Sequence, residues 1–130
     1  MINIPASHRD ILEKRSLAYV GTVDADGTPQ VTPVWIEYDG QCLIFNTARG
    51  RKKPRNLEAR PQVGVTVQDP DNPYRYVGFQ GRVISMSSEG AVAHMHHMSQ
   101  KYTGQDYGAL NASEERMIVK IEPTRVWVHD

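Results

Sequence analysis

Alternation of apolar and polar residues runs through most of this chain and predicts β-strands. The clearest stretch is Gln-Val-Gly-Val-Thr-Val-Gln at residues 62–68, in which every second residue is valine. A period of two puts those valines on one face of a strand, where they pack against a core. Similar patterns predict six further strands, at residues 17–23, 28–38, 41–47, 74–86, 116–122 and 125–128.

Three short segments instead have the spacing of helices. Ser7 is expected to cap a helix over residues 7–15, and a second helix is predicted over residues 52–60. A third helix, over residues 91–101, carries apolar side chains at helical spacing. The polar stretch through Asn111 is expected to cross from this helix to the last strands.

Turn signals connect the first strands as hairpins. Asp-Ala-Asp-Gly at residues 24–27 and Asp-Gly at residues 39–40 predict tight turns, so the first three strands are expected to be neighbours in meander order. Gly78 and Gly81 indicate a bend or a close backbone approach, and Pro123 separates the last two strands. Because strands and helices do not alternate, a mainly β fold with short helices, built as a small closed or half-closed barrel, is favoured over a parallel sheet.

Length and composition are those of an ordinary soluble domain. The 130 residues are 39% hydrophobic and 23% charged, with a formal net charge of +0, which suits one globular domain over residues 1–130. Neutrality argues against general nucleic-acid binding, and no segment has the apolar length of a membrane span. The N-terminus lacks the pattern of a secretory signal, so we expect a cytoplasmic protein. The lone Cys42 is expected to be a small buried hydrophobe.

Positive charge is concentrated in one segment of this neutral chain. Between residues 49 and 60, six of the fifteen basic residues stand against the single acid Glu58. They are Arg49, Arg51, Lys52, Lys53, Arg55 and Arg60. A helix start offers free backbone N–H groups, and Arg and Lys add charge, so the segment predicts a site for a small phosphorylated ligand. The alternative is a solvated basic helix end.

The order of several short motifs is similar to that of a known group of proteins. The motifs are Tyr19-Val-Gly-Thr-Val, Pro33-Val-Trp-Ile, Phe45-Asn-Thr-x-x-Gly-Arg-Lys, Arg55-Asn-Leu and Val63-Gly-Val-Thr-Val. Together they resemble the pyridoxamine 5′-phosphate oxidase-like, FMN-binding split-barrel superfamily, and more narrowly its small branch that uses the deazaflavin coenzyme F420. The resemblance implies a split β-barrel of six or seven mostly antiparallel strands. It also implies a homodimer with two cofactor sites at the subunit interface.

The same resemblance implies residues for the cofactor phosphate. The family's basic contacts correspond to Arg51 and Lys53, with Asn56 at the helix start and Thr47 at the strand end. A short helix start can turn either of two neighbours inward, so Lys52 is the alternative to Lys53.

Further positions are implied around the cofactor ring. Val34 and Trp35 lie on the strand that follows one ring face in the family. Gln30, on that strand, reaches the phosphate or pyrimidine side or else faces solvent. Gly78 is expected to let the ring or tail come close to a neighbouring strand. Trp127 either covers the partner's cofactor or fills the barrel.

Other clusters of polar and aromatic residues give weaker indications of a functional site. His94 and His97 share a helix face, but with no Cys or Glu at ligand spacing we expect no metal site. Tyr74, Arg75 and Tyr76 are expected to rim a substrate pocket or to serve as interface residues. No nucleophile, phosphate-loop or dinucleotide motif is present in the sequence, so no catalytic side chain is assigned.

The predicted function is that of an F420-dependent oxidoreductase, which passes a hydride from reduced deazaflavin to a small conjugated acceptor. An FMN-dependent oxidoreductase is the alternative, since the same basic corner holds a monophosphate. True pyridoxamine phosphate oxidase activity is disfavoured, because the extended C-terminal substrate segment of those enzymes has no counterpart here. A third possibility is a non-catalytic carrier of flavin, haem or a tetrapyrrole, in which His94 or His97 would matter for haem.

Overall fold

The computed structural model describes residues 2–108 and 113–130, and most of its regular structure is β-strand. The strands are β1 (Leu17–Val23), β2 (Pro29–Trp35), β3 (Glu37–Tyr38), β4 (Leu43–Ala48), β5 (Gln62–Gln68), β6 (Tyr76–Ser87) and β7 (Arg116–His129). The helices are α1 (Asp10–Glu13), α2 (Lys52–Ala59) and α3 (Ala91–Thr103), with a 3-10 turn at Ala6–His8. The predicted crossing at Asn111 lies outside the described residues.

All seven described strands form one antiparallel sheet in the order β2-β1-β5-β6-β7-β4-β3. Its two edge strands, β2 and β3, are consecutive in the chain and are joined by the single residue Ile36. One residue cannot span a flat sheet, so the sheet curls until its edges meet. The predicted fold class, a mainly β split barrel of six to seven antiparallel strands, is confirmed.

The inside of this curled sheet is filled by the alternating apolar residues. Val20, Val65, Phe79 and Val119 come from four different strands and are all at most 3% exposed. Burying such side chains contributes about 1.5–3 kcal/mol each. Leu57 brings α2 against the same core, so the start of α2 is held at one end of the barrel.

The corner at Ile36 is secured by the end of α3. The Ile36 N–H donates to the Tyr102 hydroxyl oxygen at 3.0 Å, and that hydroxyl donates to the Ser16 carbonyl at 2.5 Å. Lys101 Nζ donates to the carbonyl oxygens of Leu12 and Ile36, both at 2.8 Å. Backbone groups left unpaired where the strand breaks therefore find side-chain partners.

The predicted helix over residues 7–15 is wrong in extent. Helical structure divides into the 3-10 turn and α1, and Ser7 makes no cap, because its hydroxyl lies 2.7 Å from His8 Nδ1. Lys14 leaves the helical conformation at ψ 171°, and its ammonium reaches Asp69 Oδ1 at 2.9 Å. The helix thus ends at Glu13, directly before the residue that pairs with this distant loop.

That loop and α1 are held together by a network of ion pairs. Arg75 donates to Asp10 and Asp69, and Lys14 adds Asp71. The Asp71 N–H and the Lys14 ammonium lower the pKa of the buried Asp69 carboxyl to about 2. The network fixes the N-terminal segment to the hairpin between β5 and β6.

Two strand predictions are wrong in opposite ways. Residues 28–38 were expected as one strand, but the chain turns at Ile36 into β2 and β3, which lie at opposite sheet edges. Both pairings of the predicted meander are present, because β2 pairs with β1 and β3 pairs with β4, while the other edge of β4 pairs with β7. Residues 116–122 and 125–128 were expected as two strands, yet β7 runs unbroken through Pro123.

A β-bulge accommodates Pro123. It stands opposite Gly81, while Gln80 pairs with Arg125, so Thr124 is the extra residue. A bulge interrupts the regular hydrogen-bond ladder. A proline, which has no N–H to donate, can therefore stand in the strand there without depriving the opposite strand of a hydrogen-bond donor. The bend predicted at Gly81 is therefore confirmed. The remaining predicted boundaries differ by at most two residues.

Candidate functional site

A cleft of about 290 Å³ opens beside the β2 edge, between the end of β4, the start of α2 and one face of α3. Its apolar side includes Pro33, Trp35, Met98 and Tyr107. Trp35 stacks on Tyr102 with ring centroids 5.2 Å apart and meets Tyr107 edge-on at 6.1 Å. One stacked and one edge-on contact fix the indole, and the wall suits a flat conjugated ring.

The other side of the cleft is cationic. Arg51, Lys53 and Arg116 line it, and the carboxylate of Glu114 pairs with both arginines, at 3.3 and 3.2 Å. Three cations face one carboxylate, which leaves two positive charges. Arg51 also stands at the N-cap of α2, whose first N–H groups have no side-chain cap. This end of the cleft suits a doubly charged anion such as a phosphate.

Lys53 is the most perturbed of these cations. Its ammonium is half-buried, donates to Thr32 Oγ1 at 3.0 Å and lies 5.4 Å from the centre of the Phe45 ring. Burial, and then the charge of Arg51, lower the pKa of Lys53 to about 8. No carboxylate within residues 2–108 and 113–130 pairs with it. A bound anion would relieve this unfavourable position.

Half of the predicted site residues come together in this cleft. They are Val34, Trp35, Thr47, Arg51 and Lys53. Lys52, the alternative to Lys53, lies outside the cleft and pairs with Asp24 at 2.8 Å. Adjacent residues on a helix point about 100° apart, so only one of the two lysines faces inward.

Asn56 is buried within the protein and does not line the cleft. Its amide donates to Thr22 Oγ1 at 3.1 Å and Asp24 Oδ1 at 2.9 Å, and its oxygen accepts from Arg60. These bonds fasten α2 to β1. The geometry gives Asn56 a structural role, where a contact with the ligand was expected.

Gln30, Gly78 and Trp127 also lie away from the cleft. Gln30 is on β2, and its buried Oε1 has no partner among the described residues, so it does not face solvent freely. A Cβ on Gly78 would lie 2.3 Å from the Trp127 indole, so this chain's own Trp127 fills the space that was expected for a cofactor. Trp127 is 40% exposed, and the expectation that it fills the barrel is wrong.

The segment 74–76, expected as a pocket rim or as interface residues, does not lie at this cleft. Tyr74 is 74% exposed, and Arg75 pairs with Asp10 and Asp69. Tyr76 stacks on His129 at 5.2 Å. None of the three lines the cleft, because the loop before β6 is tied to α1 on another side of the barrel.

Sequence reasoning missed two polar residues of the cleft, Asn46 and Arg116. Arg116 is 6% exposed and begins β7, opposite Ala48. A charged residue at the head of an apolar strand was the available signal, because a buried Arg needs specific partners. Tyr107 carried no comparable signal, since it follows α3 in irregular chain.

A polar chain runs from the cleft to the far side of α3. Arg116 Nε donates to Asn46 Oδ1 at 2.9 Å, and Asn46 Nδ2 lies 3.1 Å from His94 Nδ1. His94 Nε2 lies 2.6 Å from Glu37 Oε1, and the hydrogen bond from His94 lowers the pKa of Glu37. Glu37 Oε2 also lies 3.5 Å from His97 Nε2, a neighbour that spacing along the sequence does not show.

These histidines nevertheless make a poor metal site. A metal on His94 Nε2 would require a proton on Nδ1, which faces the Asn46 amide donor. That amide cannot turn round, because Nδ2 also donates to the Ala91 carbonyl and Oδ1 accepts from Arg116. Within the described ranges, no group of three or more His, Cys, Asp or Glu side chains is arranged to hold a metal ion.

Comparison with known proteins identifies the family. The family model described as pyridoxamine 5′-phosphate oxidase matches residues 4–130. The chain is also 35% identical over 82 residues to pyridoxine/pyridoxamine 5′-phosphate oxidase of Aeromonas hydrophila. That match covers 59% of this chain and 36% of the relative, so the chain spans about a third of that enzyme's length. The chain belongs to the pyridoxamine 5′-phosphate oxidase family.

Solved structures give a second comparison. A protein named F420 reductase superposes with a TM-score of 0.87 at 33% identity, covering 95% of this chain and 98% of that one. HupZ of Group A Streptococcus (TM-score 0.72, 21% identity, 96% and 93% covered) and Rv2991 of Mycobacterium tuberculosis (0.78, 22%, 100% and 86%) share the fold. No helix in the described parts of the chain has both the length and the apolar character to traverse a bilayer.

Proposed function

We propose that this member of the pyridoxamine 5′-phosphate oxidase family is an oxidoreductase that binds F420 in the cleft beside β2 and reduces a small conjugated acceptor. The observation that carries the proposal is the cleft itself, in which a fixed aromatic wall adjoins two uncompensated positive charges. A phosphorylated flavin-type cofactor has this combination of a flat apolar ring and a phosphate. When bound, reduced F420 supplies a hydride.

The chain's own residues then bind, orient and shield. Arg51 and Lys53 would donate hydrogen bonds to the cofactor phosphate, and Thr47 would add a hydroxyl beside them. Trp35 and Val34 would contact the ring and exclude water from one of its faces, which favours transfer between groups held in one orientation. No acid–base pair is required of the protein for this chemistry, and none is proposed.

The choice of F420 over FMN is supported by likeness to the named F420 reductase over nearly the full length of both chains. The other cations of the basic segment, Arg49, Lys52, Arg55 and Arg60, would favour F420 if they were free to meet its acidic oligoglutamate tail, which FMN lacks. Arg49 pairs with Glu58 and Glu115, and Lys52 pairs with Asp24. Arg60 donates to Asn56 Oδ1, so Arg55 alone of these four has no side-chain partner in the described residues and is the candidate contact for the tail.

We further propose a homodimer. The outer face of the sheet carries a depression of about 320 Å³ with glycines in its floor and the exposed side chains of Tyr19, Val31 and Trp127 around it. Contiguous exposed apolar surface of this kind is typical of interaction sites. Light scattering should give twice the 14.7 kDa chain mass, and Tyr19→Arg should return the monomer. A monomeric wild-type protein at micromolar concentration would contradict the dimer.

A side-by-side titration tests the cofactor. The purified protein is titrated with F420 and FMN by ring fluorescence, and reduced F420 is then offered with conjugated quinone acceptors. We expect tighter binding of F420 and acceptor-dependent loss of the reduced cofactor. Tight FMN binding without F420 binding would favour an FMN-dependent oxidoreductase. F420 binding without turnover of any acceptor would favour a carrier.

A further inference from the structure

Arg116 is a buried cation with few charged partners. It is 6% exposed, yet its guanidinium donates to one carboxylate, Glu114 Oε2, at 3.2 Å. Its other partners are the neutral Asn46 Oδ1 at 2.9 Å and the Met95 sulfur at 3.4 Å, a weak acceptor. A buried charge is costly unless it is fully paired. Since Arg116 lines the cleft, an acidic group of a ligand could complete its pairing.

Glu114 is shared between two arginines. Its Oε1 accepts from Arg51 at 3.3 Å, and its Oε2 accepts from Arg116 at 3.2 Å. A phosphate or carboxylate ligand would form the same pattern, in which two oxygens of one acid group each accept from a different guanidinium. The Glu114 carboxylate thus satisfies the two arginines as such a ligand would.

Arg116 is held towards the cleft by the polar chain behind it. Asn46 Oδ1 fixes its Nε, and the Asn46 amide is oriented by the Ala91 carbonyl and by His94. Glu37 in turn fixes His94. Arg51 has no comparable support, and its side chain is 58% exposed. The Arg116 guanidinium is therefore fixed by the polar chain, whereas that of the exposed Arg51 is held, among the described residues, by Glu114 alone.

We propose that Arg51 and Arg116 form a two-arginine clamp for an oxyanion of the bound ligand, and that Glu114 occupies the clamp as an internal counter-ion until the ligand displaces it. The clamp rests on the proposed function for the position of the ligand. Its oxyanion is a phosphate of the cofactor or a carboxylate of the acceptor. In either case Glu114 competes with the ligand, so removing its charge should tighten binding.

Glu114→Gln tests this, with Glu115→Gln as a matched control. Glu115 is the next residue and carries the same charge, but it pairs with Arg49 outside the cleft. Affinities for FMN and for riboflavin, which lacks the phosphate, are measured by ring fluorescence. We expect Glu114→Gln to bind FMN about tenfold more tightly, with riboflavin and the Glu115→Gln variant changed less than about twofold. In an Arg51→Gln background the gain should disappear, because the clamp is already broken.

The other possible outcomes either identify the oxyanion or overturn the clamp. If FMN affinity is unchanged but the KM of a naphthoquinone carboxylate falls while that of menadione does not, the clamp holds an acceptor carboxylate. Equal effects of Glu114→Gln and Glu115→Gln, or no gain with either ligand class, would overturn the clamp. If the protein binds neither flavin nor F420, the proposed function fails, and titration calorimetry with inorganic phosphate still compares the two variants. Thermal melts establish that each variant is folded.

Discussion

Replacing Lys53 by methionine should stabilise the ligand-free protein while weakening its binding of phosphate ligands. The ammonium is half-buried without a carboxylate partner, and the pKa of Lys53 is about 8 against an ordinary 10.5. This lowering of the pKa corresponds to an upper figure of roughly 3 kcal/mol for keeping the ammonium protonated in the folded protein at neutral pH, which solvent screening of the partly exposed group reduces. Methionine fills a similar volume without a charge.

The net gain is smaller than this figure, because methionine loses the hydrogen bond to Thr32. Such a bond contributes about 1 kcal/mol, so we expect stabilisation of about 2 kcal/mol. For a chain of this length that is a rise in Tm of roughly 5–10 °C. Binding should weaken about ten- to a hundredfold, because a charge-assisted contact of about 1.5–3 kcal/mol is lost.

The direction in which stability changes with pH distinguishes a buried, unpaired Lys53 from a lysine that stabilises the fold. The pKa of Lys53 is lower in the folded protein, so between about pH 8 and pH 10.5 the unfolded chain binds more protons. Wild-type stability should therefore rise through that range relative to Lys53→Met. Phosphate affinity should fall as pH rises through about 8, when the ammonium loses its proton.

Urea denaturation and FMN titration of both proteins across this pH range provide the measurement. Lys52→Met is the matched control, since Lys52 is the neighbouring cation and pairs with Asp24 outside the cleft. It should change FMN affinity by less than about twofold. A destabilised Lys53→Met protein with wild-type FMN affinity would refute the reasoning and make Lys53 a structural residue.

Two further predictions concern stability. Gly78→Ala should destabilise the protein by about 1–3 kcal/mol and shift the Trp127 fluorescence, because the new Cβ would lie 2.3 Å from the indole. Gly64→Ala is the control, since a Cβ there has nothing within 4 Å. Equal destabilisation by the two substitutions would contradict the predicted clash with Trp127. Arg75→Met should destabilise the protein, because it removes one of the two charged partners of the buried Asp69 and leaves Lys14 as the other. The pKa of Asp69 is about 2, below its ordinary 3.8. The stability that this group gives the wild-type protein is therefore present above about pH 4 and is lost towards pH 2. Acid unfolding of Arg75→Met should begin at higher pH than that of the wild type.

Local pattern was sufficient wherever one face of a strand is buried along its length. Residues 17–23 and 62–68 were predicted to the residue, since a shift by one position would turn every valine outward. The break at Ile36 and the continuity through Pro123 depend on distant partners, Tyr102 and Gly81. Alternation within a segment contains no information about which strand lies beside it. Seven strands were expected and seven are described, but the agreement is accidental. One predicted strand, 28–38, is two strands, and two predicted strands, 116–122 and 125–128, are one.

The site shows the same division between local and distant information. Arg51 and Lys53 lie four or fewer residues from a helix start, so their clustering could be predicted from spacing and resemblance. Asn56 belonged to the same motif, yet Asp24 on a distant turn captures its amide. Arg116 enters the cleft only because β7 pairs with β4. The fold is what brings these two cationic segments together.

The position of β7 in the sheet also determines when the barrel can form during synthesis. β7 is the last described strand in the chain, but it lies between β6 and β4 and joins the two parts of the sheet. Contacts between segments so far apart are slow to form and require both partners to be present. Folding therefore waits until residues 116–129 have left the ribosome. A chain halted before them would present the unpaired edges of β6 and β4 to other chains, which makes premature termination an aggregation hazard for this fold.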